Sequence, residues 1–122
     1  VSSVDTLQRS LIATGFPYTK YDKKGPYMQV FDHCMHYSQG LRRLGSAATD
    51  MAYVACGRME AFYEYGLKPW DVAAGIVIIK EAGGTISDFK NGNNFLFGEE
   101  IVASNTHIHS AFIKVVMEKF GY

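Results

Sequence analysis

The chain has 122 residues, of which 48% are hydrophobic and 20% are charged, and its twelve basic residues balance its twelve acidic ones. This size and composition predict one globular domain with a core of its own, and the lack of a basic excess gives no indication of nucleic-acid binding. The longest apolar run, residues 72–79, is too short to span a bilayer, so we expect neither nucleic acid nor a membrane as a partner.

The first third of the chain predicts two strands that flank a helix. Residues 11–16 indicate a short strand, and the Gly- and Pro-containing segment 22–26 indicates a turn after it. Apolar side chains over residues 27–41 recur at helical spacing, and Gly40 is the predicted end of that helix. Residues 42–45 then predict a second short strand.

Two pairs of histidines are candidate metal ligands, but neither pair has the number and placement of ligands that a metal site needs. His33 and His36 are three residues apart on the first helix, but no third ligand lies near them in sequence, so we expect them on the exposed side. His107 and His109 are two residues apart and do not share a helix face, which argues against a joint site.

The middle of the chain predicts a helix followed by a strand. Ser46 is a suitable cap for a helix over residues 47–56, with Asp50 in its first turn and Gly57 at its end. Residues 59–65 predict the strand that comes next, because aromatic side chains cluster at its end.

Residues 70–82 predict the helix around which the domain is organised. Pro69 suits a first helical turn because its missing N–H would be unpaired there, and Gly83 suits the left-handed position after a helix. Nearly every side chain over residues 72–79 is apolar, which predicts a helix that is buried almost all round.

The remaining residues predict strands over 85–89 and 101–104 and a terminal helix capped by Asn105 or Thr106. The predicted buried face of that helix contains Ile108, Phe112, Val115, Val116 and the stem of Lys119. This alternation of strands and helices favours a single α/β domain over residues 1–122, with a mixed sheet covered by helices.

The two cysteines make no paired motif, and we expect Cys34 and Cys56 to be buried thiols of a reduced, cytoplasmic protein. The sequence shows no signal peptide, although it begins at Val1 and not at methionine. We therefore expect it to be a piece of a longer protein.

Two stretches carry the residues most suited to chemistry. Asp71 is a carboxylate in the first turn of an apolar helix, so it is either a helix-start carboxylate or a ligand for a hard cation such as magnesium. Gly45, Ser46 and Ala47 join a strand to a helix N-terminus, where Ser46 is a simple cap or the free N–H groups bind an anion or a sugar hydroxyl. Glu64 ends the strand before Asp71 and is either a solvated charge or part of a ligand site.

Several of these stretches resemble signatures of the inositol monophosphatase family, in the right order along almost the whole chain. The matching segments are residues 70–75 (WDVAAG) with 81–84 (EAGG), residues 42–48 (RRLGSAA), residues 11–18 (LIATGFPY) and residues 101–105 (IVASN). The resemblance implies that the chain is the C-terminal half of a layered αβαβα sandwich phosphatase fold.

The resemblance also implies a function, namely magnesium-dependent hydrolysis of a small polyol phosphate such as inositol monophosphate, by a cytoplasmic homodimer. In this chain Asp71 matches a catalytic residue that binds magnesium and approaches the substrate, and Glu64 matches an acceptor of substrate hydroxyls. Gly45, Ser46 and Ala47 match a substrate-binding tripeptide, and Arg43 matches an arginine that contacts substrate or a partner subunit.

One signature of the family is missing from this sequence. The Asp-Pro-Ile/Leu-Asp-Gly-Thr segment and an upstream glutamate, which supply most of the metal ligands, do not occur in it. The missing N-terminal half is therefore an expected partner, and we predict that the 122-residue chain alone is inactive. The alternatives are a nucleotide bisphosphate or histidinol phosphate phosphatase of the same family, or a non-catalytic binding or regulatory module.

Overall fold

The computed structural model describes residues 1–17 and 20–122, and its described residues form an α/β domain, as predicted. The short 3-10 helix Leu7–Arg9 precedes the first strand. The strands are β1 (Leu11–Thr14), β2 (Gly40–Arg42), β3 (Ala61–Tyr65), β4 (Thr85–Ser87) and β5 (Glu100–Ser104), and the α-helices are α1 (Lys24–Tyr37), α2 (Ala47–Ala55), α3 (Pro69–Glu81) and α4 (His109–Phe120).

The strands form one mixed sheet in the order β2-β1-β3-β5-β4. β1 is parallel to both β2 and β3, whereas β5 is antiparallel to β3 and β4. Every residue of β3 and β5 is buried, as expected for central strands that are covered on both faces. The mixed sheet between helices confirms the fold class predicted from the sequence.

Alternate residues of each central strand point to two separate cores. Tyr63 of β3 belongs to the core beneath α1 and α4, whereas its neighbour Phe62 belongs to the core beneath α2 and α3. The same alternation separates Ile12 from Ala13 in β1. This two-residue period places helices on both faces of the sheet.

The boundaries of α1 differ from the prediction. The helix begins at Lys24, inside the segment predicted to be a turn, because Pro26 falls in its first turn, where a missing N–H costs nothing. It ends at Tyr37, where Ser38 Oγ donates a hydrogen bond to the Cys34 carbonyl oxygen. Gly40, the predicted helix end, is instead the first residue of β2, so the strand predicted over 42–45 lies earlier.

α3 has the predicted ends but not the predicted burial. Pro69 is its first residue, and Gly83 follows it with a φ of 85°. However, Trp70 is 80% exposed, Val77 is 61% exposed and Ile78 is 46% exposed. The expectation of a helix buried all round is therefore wrong, because the described residues cover only the face towards the sheet and α2.

Smaller differences affect the strands and the thiols. The strands predicted over 11–16, 59–65 and 85–89 are each shorter in the structure, and β5 includes one residue more, Glu100. Cys34 is buried as expected, whereas Cys56 at the end of α2 is exposed, and both are free thiols. Tyr18, which ends one of the segments that carry the family resemblance, lies outside the described residues.

The terminal helix buries the predicted apolar side chains, among them Phe112 and Val116. Of the two predicted caps, Asn105 accepts a hydrogen bond from the Ile108 N–H through Oδ1 at 3.2 Å, whereas Thr106 has a φ of 75° and precedes the helix. No helix within residues 1–17 and 20–122 has the length and apolar character needed to cross a bilayer.

Candidate functional site

The described residues form a cleft of about 460 Å³ beyond the ends of β1 and β3, where α2 and α3 begin. This edge of the sheet is where ligands bind in open α/β folds. The cleft is lined by all six residues that the sequence singled out, namely Arg43, Gly45, Ser46, Ala47, Glu64 and Asp71. The structure thus brings together residues that are up to 28 positions apart, and their individual roles stay predictions.

Parallel pairing of β1 and β3 places Glu64 in this cleft. Both strands end at the same edge, with Gly15 directly after β1 and Glu64 as the second-last residue of β3. A Cβ added at Gly15 would overlap the Glu64 carboxyl group. Gly15 therefore leaves the space that the Glu64 side chain occupies, which explains why a glycine suits this strand end.

Asp71 is a helix-start carboxylate and still has an oxygen available for a ligand. Its Oδ2 accepts a hydrogen bond from the Lys68 N–H at 2.8 Å, and the Asp71 N–H donates to the Lys68 carbonyl oxygen at 2.9 Å. These bonds fix the carboxylate at the first turn of α3, beside the positive end of the helix dipole. Oδ1 accepts no hydrogen bond from residues 1–17 or 20–122, and Asp71 lines the cleft, so a cation is one possible partner for this oxygen.

The tripeptide 45–47 also has both of the properties considered from the sequence. Ser46 Oγ accepts a hydrogen bond from the Thr49 N–H at 3.3 Å and so caps α2. Gly45 has a φ of 93°, a conformation that a side chain would strain. Ala47 and Ala48 also line the cleft, and as the first residues of α2 their N–H groups have no partner inside the helix, which suits an anion or a hydroxyl oxygen.

The pKa of the Glu64 carboxyl group is strongly raised. Its side chain is 5% exposed, and this burial, together with the negative charges of Asp50 and Asp71, raises its pKa to about 8, although Arg43 opposes the shift. The protonated form therefore predominates at neutral pH. In that form the carboxyl group offers one hydroxyl donor and one carbonyl acceptor.

Asp50 is a residue of this region that the sequence analysis placed only as a first-turn residue of α2. Its side chain is 1% exposed, and no hydrogen-bond partner for Oδ1 exists among the described residues. Burial raises the pKa of Asp50 to about 6, and the nearby Arg43 opposes that shift. No sequence signal links Asp50 to Arg43 and Glu64, because only the tertiary fold brings the three residues into one region.

Arg43 and Lys68, the two basic residues that line the cleft, each have a partner beside it. The Arg43 guanidinium lies 5.1 Å from the centroid of the Phe16 ring, a cation–π geometry. Lys68 Nζ lies 2.7 Å from Glu99 Oε1, and Glu99 is also paired with Lys20. Hydrogen bonds from these two lysines lower the pKa of Glu99 to about 2. Sequence reasoning did not identify Lys68 as part of the cleft, nor Phe16 and Glu99 as the partners of Arg43 and Lys68.

The structure shows where two of the histidines lie and whether possible metal ligands are grouped together. Within residues 1–17 and 20–122 no three His, Cys, Asp or Glu residues are grouped closely enough to hold a metal ion. His36 lies on the exposed side, as expected, with Nδ1 3.7 Å from Asp32 Oδ1. His109 is buried between Ser104 Oγ at 2.8 Å and Ser87 Oγ at 3.1 Å. Asp71 could therefore serve as one metal ligand, but a metal site would need further ligands from elsewhere.

A sequence model of the inositol monophosphatase family matches residues 1–119, nearly the whole chain. The chain belongs to the inositol monophosphatase family. It is 42% identical over 116 residues to an inositol-1-monophosphatase of Mesorhizobium japonicum, covering 95% of this chain and 42% of that protein. It is 41% identical over 118 residues to Nus factor SuhB of Pseudomonas aeruginosa, covering 95% of this chain and 44% of that one.

A solved structure of this family confirms the fold. The inositol monophosphatase from Anabaena (Nostoc) sp. PCC 7120 superposes with a TM-score of 0.89 at 38% identity, over 97% of this chain and 47% of that one. The chain therefore spans less than half the length of these relatives. The family consists of phosphatases that are generally metal-dependent, so this fold and its cleft belong to a phosphatase family.

Proposed function

We propose that the chain is the C-terminal part of a magnesium-dependent phosphomonoesterase that hydrolyses a small polyol phosphate such as inositol monophosphate. The observation that carries the proposal is the single cleft in which Glu64 and Asp71 lie beside the N-terminus of α2. It combines a ligand for a hard cation, a group that binds hydroxyls and free backbone N–H groups. These are the interactions that a phosphorylated polyol requires.

Each residue of the cleft has a distinct task in this proposal. Asp71 directs Oδ1 towards a cation while its hydrogen bond from Lys68 holds the carboxylate in place. Glu64 binds substrate hydroxyls, and the tripeptide 45–47 positions the substrate through its backbone. When magnesium is bound, it polarises the phosphate and activates the water that attacks it.

The proposal requires a second structural unit, the N-terminal half of the same protein. A magnesium ion takes about six oxygen ligands, and Asp71 supplies only one carboxylate. The outer face of α3, with Trp70, Val77 and Ile78 exposed, is the apolar surface that such a unit would cover.

We further propose a homodimer in the cytoplasm, in keeping with the family resemblance.

The decisive experiment measures phosphate release from inositol monophosphate by the full-length protein and by the 122-residue chain, with and without magnesium. We expect magnesium-dependent turnover by the full-length protein and none by the chain alone. Asp71→Asn in the full-length protein keeps the fold but loses most of the activity, because a neutral amide is a poorer ligand for a hard cation.

A second substitution in the same assay separates substrate binding from metal binding. Glu64→Ala mainly raises KM, since a lost hydroxyl contact costs about 1–3 kcal/mol. Asp5→Asn, at an exposed position near the chain start, is the matched control. Turnover by the chain alone contradicts the requirement for a second unit, and full activity of Asp71→Asn contradicts its role as a metal ligand.

A second candidate function is a non-catalytic binding or regulatory role, which the name Nus factor of the Pseudomonas relative favours. The full-length protein would then bind a partner protein through the same domain. A partner that binds wild type and Asp71→Asn equally, together with no phosphate release from inositol, nucleotide or histidinol phosphates, supports this role. Turnover of a nucleotide bisphosphate or of histidinol phosphate alone identifies the corresponding phosphatase instead.

A further inference from the structure

Helices α2 and α3 both begin at the cleft and pack against each other. Ala47 is the first residue of α2, and Asp71 lies in the first turn of α3. Four residues further along each helix, about one turn away from the cleft, Met51 of α2 meets Gly75 of α3. The two helix starts are therefore linked by a contact directly behind them.

Gly75 occupies a position that has no room for a side chain. It is buried, and a Cβ added to it would lie 2.6 Å from Met51 Sδ, 2.8 Å from Cε and 2.9 Å from Cβ. The Sδ and Cε atoms can rotate away, but the Met51 Cβ atom moves only with the backbone of α2. Carbon atoms in ordinary contact lie about 3.5–4.0 Å apart, so a methyl group at position 75 separates the two helices by about 0.6 Å or more.

The surroundings of Met51 leave α2 no empty space into which it can move. Met51 is fully buried and belongs to the same core cluster as Val72 and Ile76 of α3. Protein cores are packed closely enough that the addition of one methyl group shifts the elements around it. Glycine is also a poor residue for the interior of a helix, so the close approach of α2, and not helix propensity, explains why it suits this position.

We propose that Gly75 is a positioning residue, which sets the separation between the Asp71 carboxylate and the N-terminus of α2 that the reaction requires. The inference rests on the proposed function, in which Asp71 binds a cation and the tripeptide 45–47 binds the substrate. Gly75 touches neither of them and acts through the distance between the two helices.

Each side of the cleft moves as a unit with its own helix. The Lys68 N–H donates to Asp71 Oδ2 at 2.8 Å at the start of α3, and the Thr49 N–H donates to Ser46 Oγ at 3.3 Å at the start of α2. A wider separation of the helices therefore leaves both groups intact and changes the distance between them. Reaction rates depend steeply on such distances, since a displacement of about 1 Å can lower a rate about 100-fold.

The experiment compares Gly75→Ala with wild type in the full-length protein. We expect crystal structures to show a distance between Asp71 Cγ and the Ala47 backbone nitrogen that is longer in the variant by about 0.5 Å or more. In the phosphate-release assay with magnesium, kcat/KM for inositol monophosphate falls by about tenfold, mostly through kcat. An unchanged distance or an unchanged kcat/KM in a folded Gly75→Ala variant overturns the proposal.

Gly84→Ala is the matched control, because Gly84 lies beyond the opposite end of α3 and has equally little room. A Cβ there would lie 2.6 Å from the Ser104 carbonyl oxygen and 2.7 Å from Ile79 Cγ2. We expect this variant to unfold at a lower temperature than wild type, as Gly75→Ala does, while the distance and kcat/KM stay unchanged. Equal losses of kcat/KM in the two variants overturn the proposal, since Gly75 would then act only through stability.

A second variant preserves the test if Gly75→Ala does not fold. Combining it with Met51→Ala removes the overlap with Sδ and Cε and leaves only the overlap with Cβ. We expect kcat/KM of this double variant to be below that of Met51→Ala alone, because the helices are still held further apart. Equal values for these two variants overturn the proposal.

The two readouts distinguish failure of the inference from failure of the proposed function. Full-length wild type that releases no phosphate from inositol monophosphate contradicts the proposed function. The crystallographic distance does not depend on turnover, so an unchanged distance in Gly75→Ala overturns the inference in that case as well. Normal turnover by wild type and by Gly75→Ala contradicts the inference and leaves the proposed function intact.

Discussion

At the scale of single residues, Glu64 shows how a strand end determines the chemistry of a carboxyl group. Its burial and the nearby charges of Asp50 and Asp71 together raise its pKa to about 8, against the opposing effect of Arg43. Because the folded protein binds this proton more tightly than the unfolded chain does, Glu64 favours folding most at low pH. That contribution is lost as the pH rises from the ordinary glutamate range of about 4.3 towards 8.

The first consequence is a pH-dependent effect of Glu64→Gln, which imitates the protonated carboxyl. In protein freed of divalent cations, we expect the variant and wild type to unfold at similar temperatures at pH 5. Above pH 8 the variant becomes the more stable of the two, because only wild type must bury a negative charge. Thermal unfolding followed by circular dichroism from pH 5 to pH 9 measures the difference.

Glu81→Gln is the control for this experiment, because Glu81 is exposed at the end of α3. We expect its difference from wild type to be independent of pH. If Glu64→Gln shows the same pH-independent behaviour, the Glu64 carboxyl is ionised in the folded protein at neutral pH, and its predicted acid strength is wrong.

The residues of the cleft differ in how far the sequence could identify them. Asp71 and Ser46 stand at helix starts, which are local signals, and the structure shows both of the expected capping bonds. Asp50 is also in a first helical turn, but its burial and its electrostatic interaction with Arg43 and Glu64 arise only in the folded chain. Such groupings are set by strand pairing and cannot be read from spacing along the chain.

At the scale of elements, local signals predict where helices begin and end better than which faces they bury. Pro69 and Gly83 bound α3 as expected, since their backbone preferences act within a few residues. In α1 the same kind of reasoning failed, because Pro26 is compatible with either a turn or a first helical turn. The exposure of one side of α3 depends on what packs there, which its own sequence does not specify.

Asn105 joins two elements, and its loss has a predictable effect. Its side-chain Nδ2 donates to the Val4 carbonyl oxygen at 2.7 Å, while Oδ1 accepts from the Ile108 N–H at the start of α4. Asn105→Ala leaves these buried groups unpaired, so we expect the free energy of unfolding to fall by about 1–3 kcal/mol in urea titrations. Asn93→Ala, at an exposed loop position, is the control, and an equal effect of both contradicts the role of Asn105.

At the scale of the whole molecule, the outward side of α3 exposes three large apolar side chains. These are Trp70, which lines the cleft, and Val77 and Ile78, which lie about two helical turns further along. Large contiguous apolar patches are uncommon on monomeric proteins and mark contact surfaces. The proposed second unit would cover this face and supply the remaining cation ligands at the same time.

This arrangement predicts that Ile78→Asp acts differently in the two forms of the protein. In the 122-residue chain Ile78 is half exposed, so the substitution lowers the free energy of unfolding by only about 1 kcal/mol, the contribution of the buried half of the side chain. In the full-length protein it would bury an unpaired charge, so we expect a loss of about 3 kcal/mol or more. Urea titration of both forms measures the two effects.

Met35→Asp is the matched control, because Met35 is 62% exposed on α1, on the opposite face of the sheet. We expect it to have similar, small effects in both forms. If Ile78→Asp is equally harmless in the full-length protein, the apolar face of α3 is not covered by the N-terminal half, and the proposed arrangement of the two halves is wrong.

The position of β5 in the sheet has a consequence for synthesis of the protein. β5 lies between β3 and β4, although both of them precede it along the chain. On a ribosome, β3 therefore emerges with an unpaired edge and β4 has no neighbour until Ser104 has left the exit tunnel. The open edge of β3 can pair with other strands until β5 is available, so aggregation competes with folding while residues 66–104 are being synthesised.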